Sequence, residues 1–274
     1  MKALQSIKGK ISGSIVWSTS RHSTWEIYKM NADSTEKLRL THDQETNQHP
    51  VWSHDGEWIF YQRNDDIYRM RSDGSDPQLV LENGFSFDLS HDDSKIVCVV
   101  QTNSGDSIQI YDREKQTSQE IIPARLPEFK NKELRFPTLS PDGKWLSFSS
   151  NYPRAWSIHI MKRDGTNHAF YARGCMPQYS PNGLYLAWVF GGIHDIYIGT
   201  SDGNQKRVFE NSIPGRAHCY FPRWSRDGNF IVFAASPSSN RQISDYEIYI
   251  KPVKKGEAVR LTFHPATDTW PDIH

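Results

Sequence analysis

The sequence predicts an all-β protein, a six-bladed β-propeller of four-stranded antiparallel blades whose ring is closed by the C-terminal strand completing the N-terminal blade. One observation is a recurring strand-turn-strand element, spaced by 37, 50, 40 and 45 residues between the serines of its turn: Ser53, Ser90, Ser140, Ser180 and Ser225. Repeats of about 40 residues with several strands each are typical of propeller blades. The composition also favours short strands and turns, with 9 Trp, 12 Tyr and 13 Phe beside 15 Pro and 17 Gly.

The first half of each repeat is a strand, a tight turn and a second strand. The first strand (segment A) reads "PVWS" at 50–53, with variants at 87–90, 137–140, 177–180 and 222–225. An S-x-D-G turn leads to an apolar, aromatic strand (segment B), such as "EWIFYQ" or "KWLSFSS". Because Asp accepts hydrogen bonds from the amides of its own turn and Gly adopts positive φ, we interpret this element as turn chemistry rather than catalysis. Where Asp93 replaces the glycine, a looser or bulged turn is expected.

The second half of each repeat supplies two further strands. Segment C has an I-Y-like centre, as in "WEIYKM" and "DDIYRM", and segment D follows a D-G type turn and often ends in "RLT". Such turns predict hairpins, so segments B, C and D form a meander. The chain begins with a segment B at 13–20, and "TDTWPDIH" at 267–274 matches the approach to a segment A. The C-terminal strand is therefore predicted to complete the first blade, which removes free sheet edges.

The repeats "VWSHDG", "LSPDG", "YSPNG" and "WSRDG", with the "RLT" endings, resemble the WD40-like repeat called PD40. The whole chain from residue 11 onward looks like a TolB-type six-bladed propeller. The resemblance implies the fold. TolB proteins are periplasmic and carry a separate N-terminal domain, for which these 274 residues are expected to leave no room. Residues 1–10 are therefore predicted to be an N-terminal tail and residues 11–274 a single propeller domain.

Charge, hydropathy and cysteine content exclude several classes of protein. The 32 basic and 32 acidic residues balance, so a nucleic-acid partner is not expected. No apolar run approaches the ~20 residues of a membrane-spanning helix, so no membrane insertion is expected. Three cysteines without C-x-x-C spacing favour free thiols in a reducing compartment. With no secretory signal in the sequence, a cytoplasmic location is expected, or a periplasmic one if the chain lacks its native N-terminus.

The longest connections predict where a binding site lies. In a four-strand meander the A–B and C–D turns share one side of the disc, the turn face, and the B–C and D–A connections share the other, the loop face. The loop-face connections are long, so the site is predicted there, around the central funnel. The predicted funnel residues are Glu45, Asn47, His49, Glu133, Arg135, Arg173, Arg216, His218 and Asp268, with Trp270 as an aromatic that could stack on a sugar.

A second set of mostly polar residues lies one position after the place that proline occupies in most segments A, which is Phe87 in the third blade. These predicted channel-wall residues are Asp88, Gln178, Arg223 and Asp272, together with Val51 and Thr138. Arg223 and Asp272 are expected on neighbouring blades, close enough to form an ion pair. A structural ion pair in a solvated channel is the simpler interpretation than a ligand contact.

No catalytic motif is recognisable, since the sequence contains no H-E-x-x-H, G-x-S-x-G, P-loop or dinucleotide fingerprint. No metal or other cofactor is expected; His49 and His218 are the candidate ligands if a divalent metal binds. The predicted function is a non-enzymatic binding propeller that presents its loop face and funnel to a protein or peptide. The alternative is a carbohydrate-binding protein, or a metal-assisted polysaccharide lyase or hydrolase, that takes an oligosaccharide in the funnel.

Overall fold

The computed structural model describes residues 11–192, 194–210, 213–216, 218–238 and 245–274, so the predicted tail at 1–10 lies outside the described residues. Its strands, numbered in chain order, form six four-stranded antiparallel sheets. Blade 1 contains β1 (Ser14–Thr19), β2 (Glu26–Asn31), β3 (Leu38–Arg39) and, as its inner strand, β24 (Asp268–Ile273). Blade 2 contains β4 (Asn47–Trp52), β5 (Trp58–Arg63), β6 (Asp66–Arg71) and β7 (Gln78–Leu81). Blade 3 contains β8 (Gly84–Leu89), β9 (Lys95–Thr102), β10 (Gly105–Asp112) and β11 (Thr117–Ile122).

The remaining blades follow the same order from the inner strand outward. Blade 4 contains β12 (Leu134–Leu139), β13 (Trp145–Ser150), β14 (Ser157–Lys162) and β15 (Ala169–Arg173). Blade 5 contains β16 (Cys175–Tyr179), β17 (Tyr185–Val189), β18 (Ile196–Thr200) and β19 (Lys206–Glu210). Blade 6 contains β20 (His218–Trp224), β21 (Phe230–Ser236), β22 (Glu247–Pro252) and β23 (Val259–Arg260). A 3-10 turn, Pro127–Phe129, lies between blades 3 and 4, and no helix in the described residues is long and apolar enough to span a membrane.

Ring closure joins the two ends of the chain in blade 1. Val16 of β1 pairs with Asp272 of β24, and Ser14 and His274 exchange backbone hydrogen bonds of 2.8 and 2.9 Å. The C-terminal strand therefore supplies the inner strand that the first repeat lacks. This confirms the predicted all-β propeller and its closure.

The S-x-D-G turns are held by their own side chains. In blade 2 the Ser53 hydroxyl donates to Asp55 at 2.6 Å and accepts from the Trp58 amide at 2.9 Å. The blade 3 turn keeps this geometry, with Asp93 at a φ of 55° and its amide 2.9 Å from the Ser90 carbonyl. The expected looser turn is wrong, because an aspartate tolerates the left-handed conformation that glycine adopts elsewhere.

The core lies in the seams between neighbouring blades, where apolar side chains from facing sheets interlock. Trp17, Val232 and Ile273 belong to the cluster that joins blades 1 and 6. Phe60 and Phe87 belong to the one that joins blades 2 and 3. All five are at most 2% exposed. The closely packed seam on each side of a blade positions the inner strands around the axis.

The "RLT" endings complete a buried polar cluster in two blades. Glu26, at the start of β2, accepts hydrogen bonds from Thr41 and from Arg39, and the Thr41 hydroxyl in turn accepts from the Ile27 amide. The same arrangement joins Glu247, Thr262 and Arg260 in blade 6. In each blade the threonine hydroxyl accepts the hydrogen bond of a backbone amide in segment C that has no strand partner. Segment D can therefore end after two residues of strand.

Candidate binding site in the central channel

The six inner strands share one backbone irregularity. Each contains a residue other than glycine with a positive φ, and the pairing with the next strand shifts register beside it. In five blades a proline follows, which has no N–H to donate to a ladder. We call these six residues the collar: His49, Ser86, Phe136, Met176, Phe221 and Trp270.

The collar narrows the loop-face end of the channel. The Trp270 ring lies 4.1 Å from that of Phe221, 4.3 Å from that of His49 and 5.8 Å from that of Phe136, measured between centroids. These residues come from blades 1, 6, 2 and 4, and they can meet only at the axis. Trp270 and Phe136 stay partly exposed, and the space that the collar encloses is about 30 Å³.

Below the collar the channel-wall residues form a buried polar layer. Arg223 Nη1 lies 2.9 Å from Asp88 Oδ1, and Asp88 Oδ2 accepts from Thr138 at 2.7 Å and Gln178 at 3.0 Å. Asp272 instead accepts from the Trp52 amide at 2.7 Å. The expected Arg223–Asp272 ion pair is therefore wrong. The guanidinium reaches past the neighbouring blade 1 to blade 3, where three donors converge on one carboxylate.

Burial and charge set the protonation states of this layer. Burial alone would raise the pKa of Asp88, but the Arg223 charge and three hydrogen-bond donors lower it. Burial raises the pKa of Asp272 despite the nearby arginines. Burial and the Arg223 charge lower the pKa of His49 to about 3. His49 is therefore neutral at pH 7, and since its Nε2 lies 3.4 Å from Arg223 Nη2, which can only donate, its Nδ1 carries the hydrogen.

The polar layer opens toward the turn face, opposite the predicted funnel. A cavity of about 100 Å³ is lined there by Asp88, Arg223 and Asp272. His54, His91 and Arg226 line its outer part, with the His54 and His91 rings 4.3 Å apart. These three occupy the x position of the S-x-D-G turns, which the sequence repeats at a constant place. The same position in each repeated turn could therefore have identified a second set of channel residues from the sequence.

Two predicted funnel residues, His49 and Trp270, belong to the collar. Asp268 is fully buried and pairs with Arg21 at 2.7 Å. That pair ties β24 to the loop after β1, so Asp268 serves ring closure.

Other predicted funnel charges form ion pairs at the loop face. Arg135 contacts Asp106 of blade 3, and Arg216 lies 2.8 Å from Asp245. Arg173 is the last residue of the outer strand β15 and is exposed. A position just before an inner strand was the basis of the prediction. It did not distinguish residues that face the axis from residues that form ion pairs elsewhere on the loop face.

Asn47 and Glu45 stabilise the start of blade 2. The Asn47 amide donates to Asp43 at 2.7 Å, and Arg63 donates to both of them. Glu45 accepts from Asn64 at 2.6 Å. Glu133 is exposed, and its backbone amide donates to the Asn151 side chain.

The two candidate metal ligands have different surroundings. His49 is part of the collar, whereas His218 Nδ1 lies 3.0 Å from His194 Nδ1. Among the residues that the structure describes, no group of three or more His, Cys, Asp or Glu side chains is arranged to hold a metal ion. The metal hypothesis remains a prediction.

Solved propellers resemble the chain over nearly its whole length. TolB from Acinetobacter baumannii is 14% identical with a TM-score of 0.78, covering 95% of this chain and 66% of its own. A putative TolB from Agrobacterium tumefaciens is 18% identical with a TM-score of 0.72, covering 92% and 89%. An oligogalacturonate lyase in complex with manganese is 17% identical with a TM-score of 0.61, covering 92% and 74%. At these identities the likeness is one of fold.

The sequence comparisons identify the family. An uncharacterised protein of Agrobacterium fabrum is 33% identical over 69 residues, so the match spans about a quarter of that relative, 24% of each chain. The family model described as PD40, TolB beta propeller domain, matches residues 12–174. The family gives no support to the expected cytoplasmic location and is consistent with a periplasmic one. The chain belongs to the TolB beta-propeller family of PD40 repeats.

Proposed function

We propose that the protein is a non-enzymatic propeller that binds a segment of a partner protein at the collar. The observation that carries this proposal is the convergence of Trp270, Phe136 and Phe221 at the loop-face end of the channel. Trp270 and Phe136 are partly exposed, and aromatic side chains that are held in place in this way are enriched at protein-protein interfaces. Membership of a propeller family whose members bind proteins agrees with it.

The collar is preorganised by its backbone. The prolines at positions 137, 177, 222 and 271 line the same site, and each has a fixed φ and directly follows one of four positive-φ residues of the collar. A partner therefore meets side chains that have already lost their conformational freedom, which lowers the entropic cost of binding. The bound segment places an apolar side chain against Trp270 and Phe136.

His49 adds a polar contact to this apolar site. Its Nδ1 is buried and has no hydrogen-bond partner among the described residues. Because Nε2 faces Arg223, Nδ1 is a donor, and a carbonyl oxygen of the bound segment would satisfy it. A buried donor without a partner costs about 1–3 kcal/mol, so binding recovers part of that cost.

The carbohydrate alternative uses the same aromatic residues as a stacking surface for a sugar. The lyase form of that alternative also needs a metal held by several side chains. The fold likeness to a manganese-bound oligogalacturonate lyase supports it only loosely. Protein binding requires nothing beyond the collar and is the function we favour.

A photo-crosslinking amino acid at position 136 tests the proposal in cells of the source organism. Phe136 is replaced because it lies at the collar and is partly exposed. The matched control replaces Phe170, which is 58% exposed in β15, away from the axis. We expect a covalent protein adduct from position 136 that Trp270→Ala abolishes. An adduct of equal yield at position 170, or none at position 136, would contradict the proposal.

A further inference from the structure

Blade 5 differs from its neighbours just after the S-x-D-G turn. The first residue after that turn is polar in blades 2, 3, 4 and 6, where it is Glu57, Ser94, Lys144 or Asn229. In blade 5 it is Leu184, which is 61% exposed. A single exposed leucine is common on protein surfaces, so Leu184 becomes informative only together with the residues around it.

The next residue is also left uncovered in blade 5. In blade 2 this position is Trp58, whose ring is covered by the guanidinium groups of Arg69 and Arg71 at 4.1 and 3.9 Å. In the matching strand of blade 5, "DIYIGT" replaces "DIYRMR", so Ile198 and Thr200 take the places of those arginines. Tyr185 is consequently 40% exposed, and no cation lies over its ring in the described part of the chain.

Tyr185 forms one wall of a groove of about 560 Å³ between blades 5 and 6 on the turn face. Ile198, Trp224 and Val253 supply further apolar lining. Grooves of 300–1,000 Å³ are the size in which proteins hold ligands. Leu184 directly precedes Tyr185 and adds exposed apolar surface at the same end of blade 5.

The charges around this groove are mainly positive. Arg207 and Lys254 line it, against Asp227 as the acidic residue, whereas the ammonium group of Lys206 donates to the Tyr171 carbonyl of blade 4. The Asp227 carboxylate is held by the Ser225 hydroxyl and the Asn229 amide of its own turn. Arg207 donates to the Val253 carbonyl at 3.2 Å, so its charge is not neutralised by that contact. Charge complementarity therefore favours an acidic occupant.

We propose that the groove between blades 5 and 6, with Leu184 and Tyr185, is a second docking surface that binds an acidic peptide segment of a partner protein. An apolar side chain of the segment packs on Leu184 and Tyr185, and its carboxylates pair with Arg207 and Lys254. The surface lies on the face opposite the collar. It therefore does not depend on the proposed function of the collar.

Selection of a phage-displayed heptapeptide library on the purified protein tests this proposal. We expect enriched sequences that combine Asp or Glu with a Leu or aromatic residue. A synthetic peptide with the enriched sequence should bind at least about tenfold more weakly to the double variant Leu184→Glu, Tyr185→Lys, because truncating central anchors has effects of that size. Blades 2 and 3 carry Glu57 and Lys95 at these positions, so the double variant suits the fold.

Two further variants separate the possible outcomes. The double variant Arg207→Glu, Lys254→Glu should also bind the peptide more weakly. Leu79→Glu, at an exposed position in β7, should bind it as the wild type does. Equal enrichment on wild type and double variant, or a consensus without acidic residues, would overturn the proposal. Sedimentation of the wild type as a dimer that the Leu184→Glu, Tyr185→Lys variant dissociates would also overturn it, by making the surface an interface between copies of this chain.

Discussion

Arg223 and Asp88 form an ion pair across the diameter of the propeller. Their side chains come from blades 6 and 3, which stand opposite each other in the ring, and Nη1 and Oδ1 are 2.9 Å apart. Both side chains are nearly buried, at 12% and 11% exposure. The pair therefore joins the two halves of the ring beneath the collar.

Breaking this pair should destabilise the protein. In Asp88→Asn the hydrogen-bond geometry persists in part, but the Arg223 charge stays buried without its carboxylate. Loss of one partner from a buried pair costs about 3–5 kcal/mol of unfolding free energy. Urea unfolding measures the change.

A double variant, Asp88→Asn with Arg223→Met, provides the control. It removes both charges and should be more stable than Asp88→Asn alone, since a buried unpaired charge costs more than a missing pair. If the loss of unfolding free energy in the double variant equalled the sum of the losses in Asp88→Asn and Arg223→Met, the two residues would act independently and not as a pair.

The stability of the protein should fall on acidification because of His49. Its pKa is about 3 in the folded chain and about 6.5 when unfolded. Between these values the unfolded chain binds a proton that the folded chain does not, so unfolding free energy decreases as pH falls. One such group contributes about 1.4 kcal/mol per pH unit.

The variant His49→Gln should remove that contribution. Unfolding free energies measured from pH 6.5 to 3.5 should depend on pH less steeply in this variant than in the wild type. His42→Gln, at an exposed position, serves as the control and should follow the wild type. Parallel wild-type and His49→Gln curves would show that His49 titrates normally.

Gly13 limits the geometry of ring closure. Its φ is +108°, and a Cβ there would lie 1.9 Å from the His274 carbonyl oxygen. Gly13→Ala should therefore lower the melting temperature by both strain and displacement of β24. Gly192→Ala is the matched control, because Gly192 has a φ of +106° but nothing within 4 Å of its Cβ position. We expect the control to lose only the stability that a positive φ costs a residue other than glycine, about 1–3 kcal/mol. Equal losses of stability in both variants would show that contact with His274 does not restrict residue 13.

A metal-dependent function has a direct test in thermal stability. We expect the melting temperature to be the same with EDTA as with added Mn²⁺, because the His218 imidazole is engaged with His194 and His49 is engaged with Arg223. A bound ion would stabilise the folded state by mass action, about 2.7 kcal/mol at a hundredfold excess over its dissociation constant. A decrease with EDTA that one ion reverses would favour the lyase alternative over the protein-binding function.

The turn sequences were sufficient to predict the propeller. S-x-D-G elements such as the one at Ser53 encode their own hydrogen bonds, and those bonds do not depend on distant residues. The match of "TDTWPDIH" to the approach to a segment A likewise predicted that β24 completes blade 1. Asp93 was harder to interpret, because loss of the glycine did not loosen the turn.

The channel could be predicted only in part. Repeat alignment placed Asp88, Gln178, Arg223 and Asp272 at equivalent positions, and they do line one layer. It did not show which residues touch, because partners on opposite blades depend on side-chain length across the axis. It also did not separate His49 and Trp270 from Arg135 and Arg216, whose long side chains pair with Asp106 and Asp245 instead.

Local hydrogen bonding and the repeat period, both encoded in contiguous residues, determined the blades, their number and the way the ring closes. The tertiary structure decided what the ring encloses. Only when six strands meet at one axis do the positive-φ residues form a collar, Arg223 reach Asp88, and the missing arginines of blade 5 leave Tyr185 uncovered. Those contacts join residues far apart in sequence, and their energies depend on burial and distance, which no single repeat specifies.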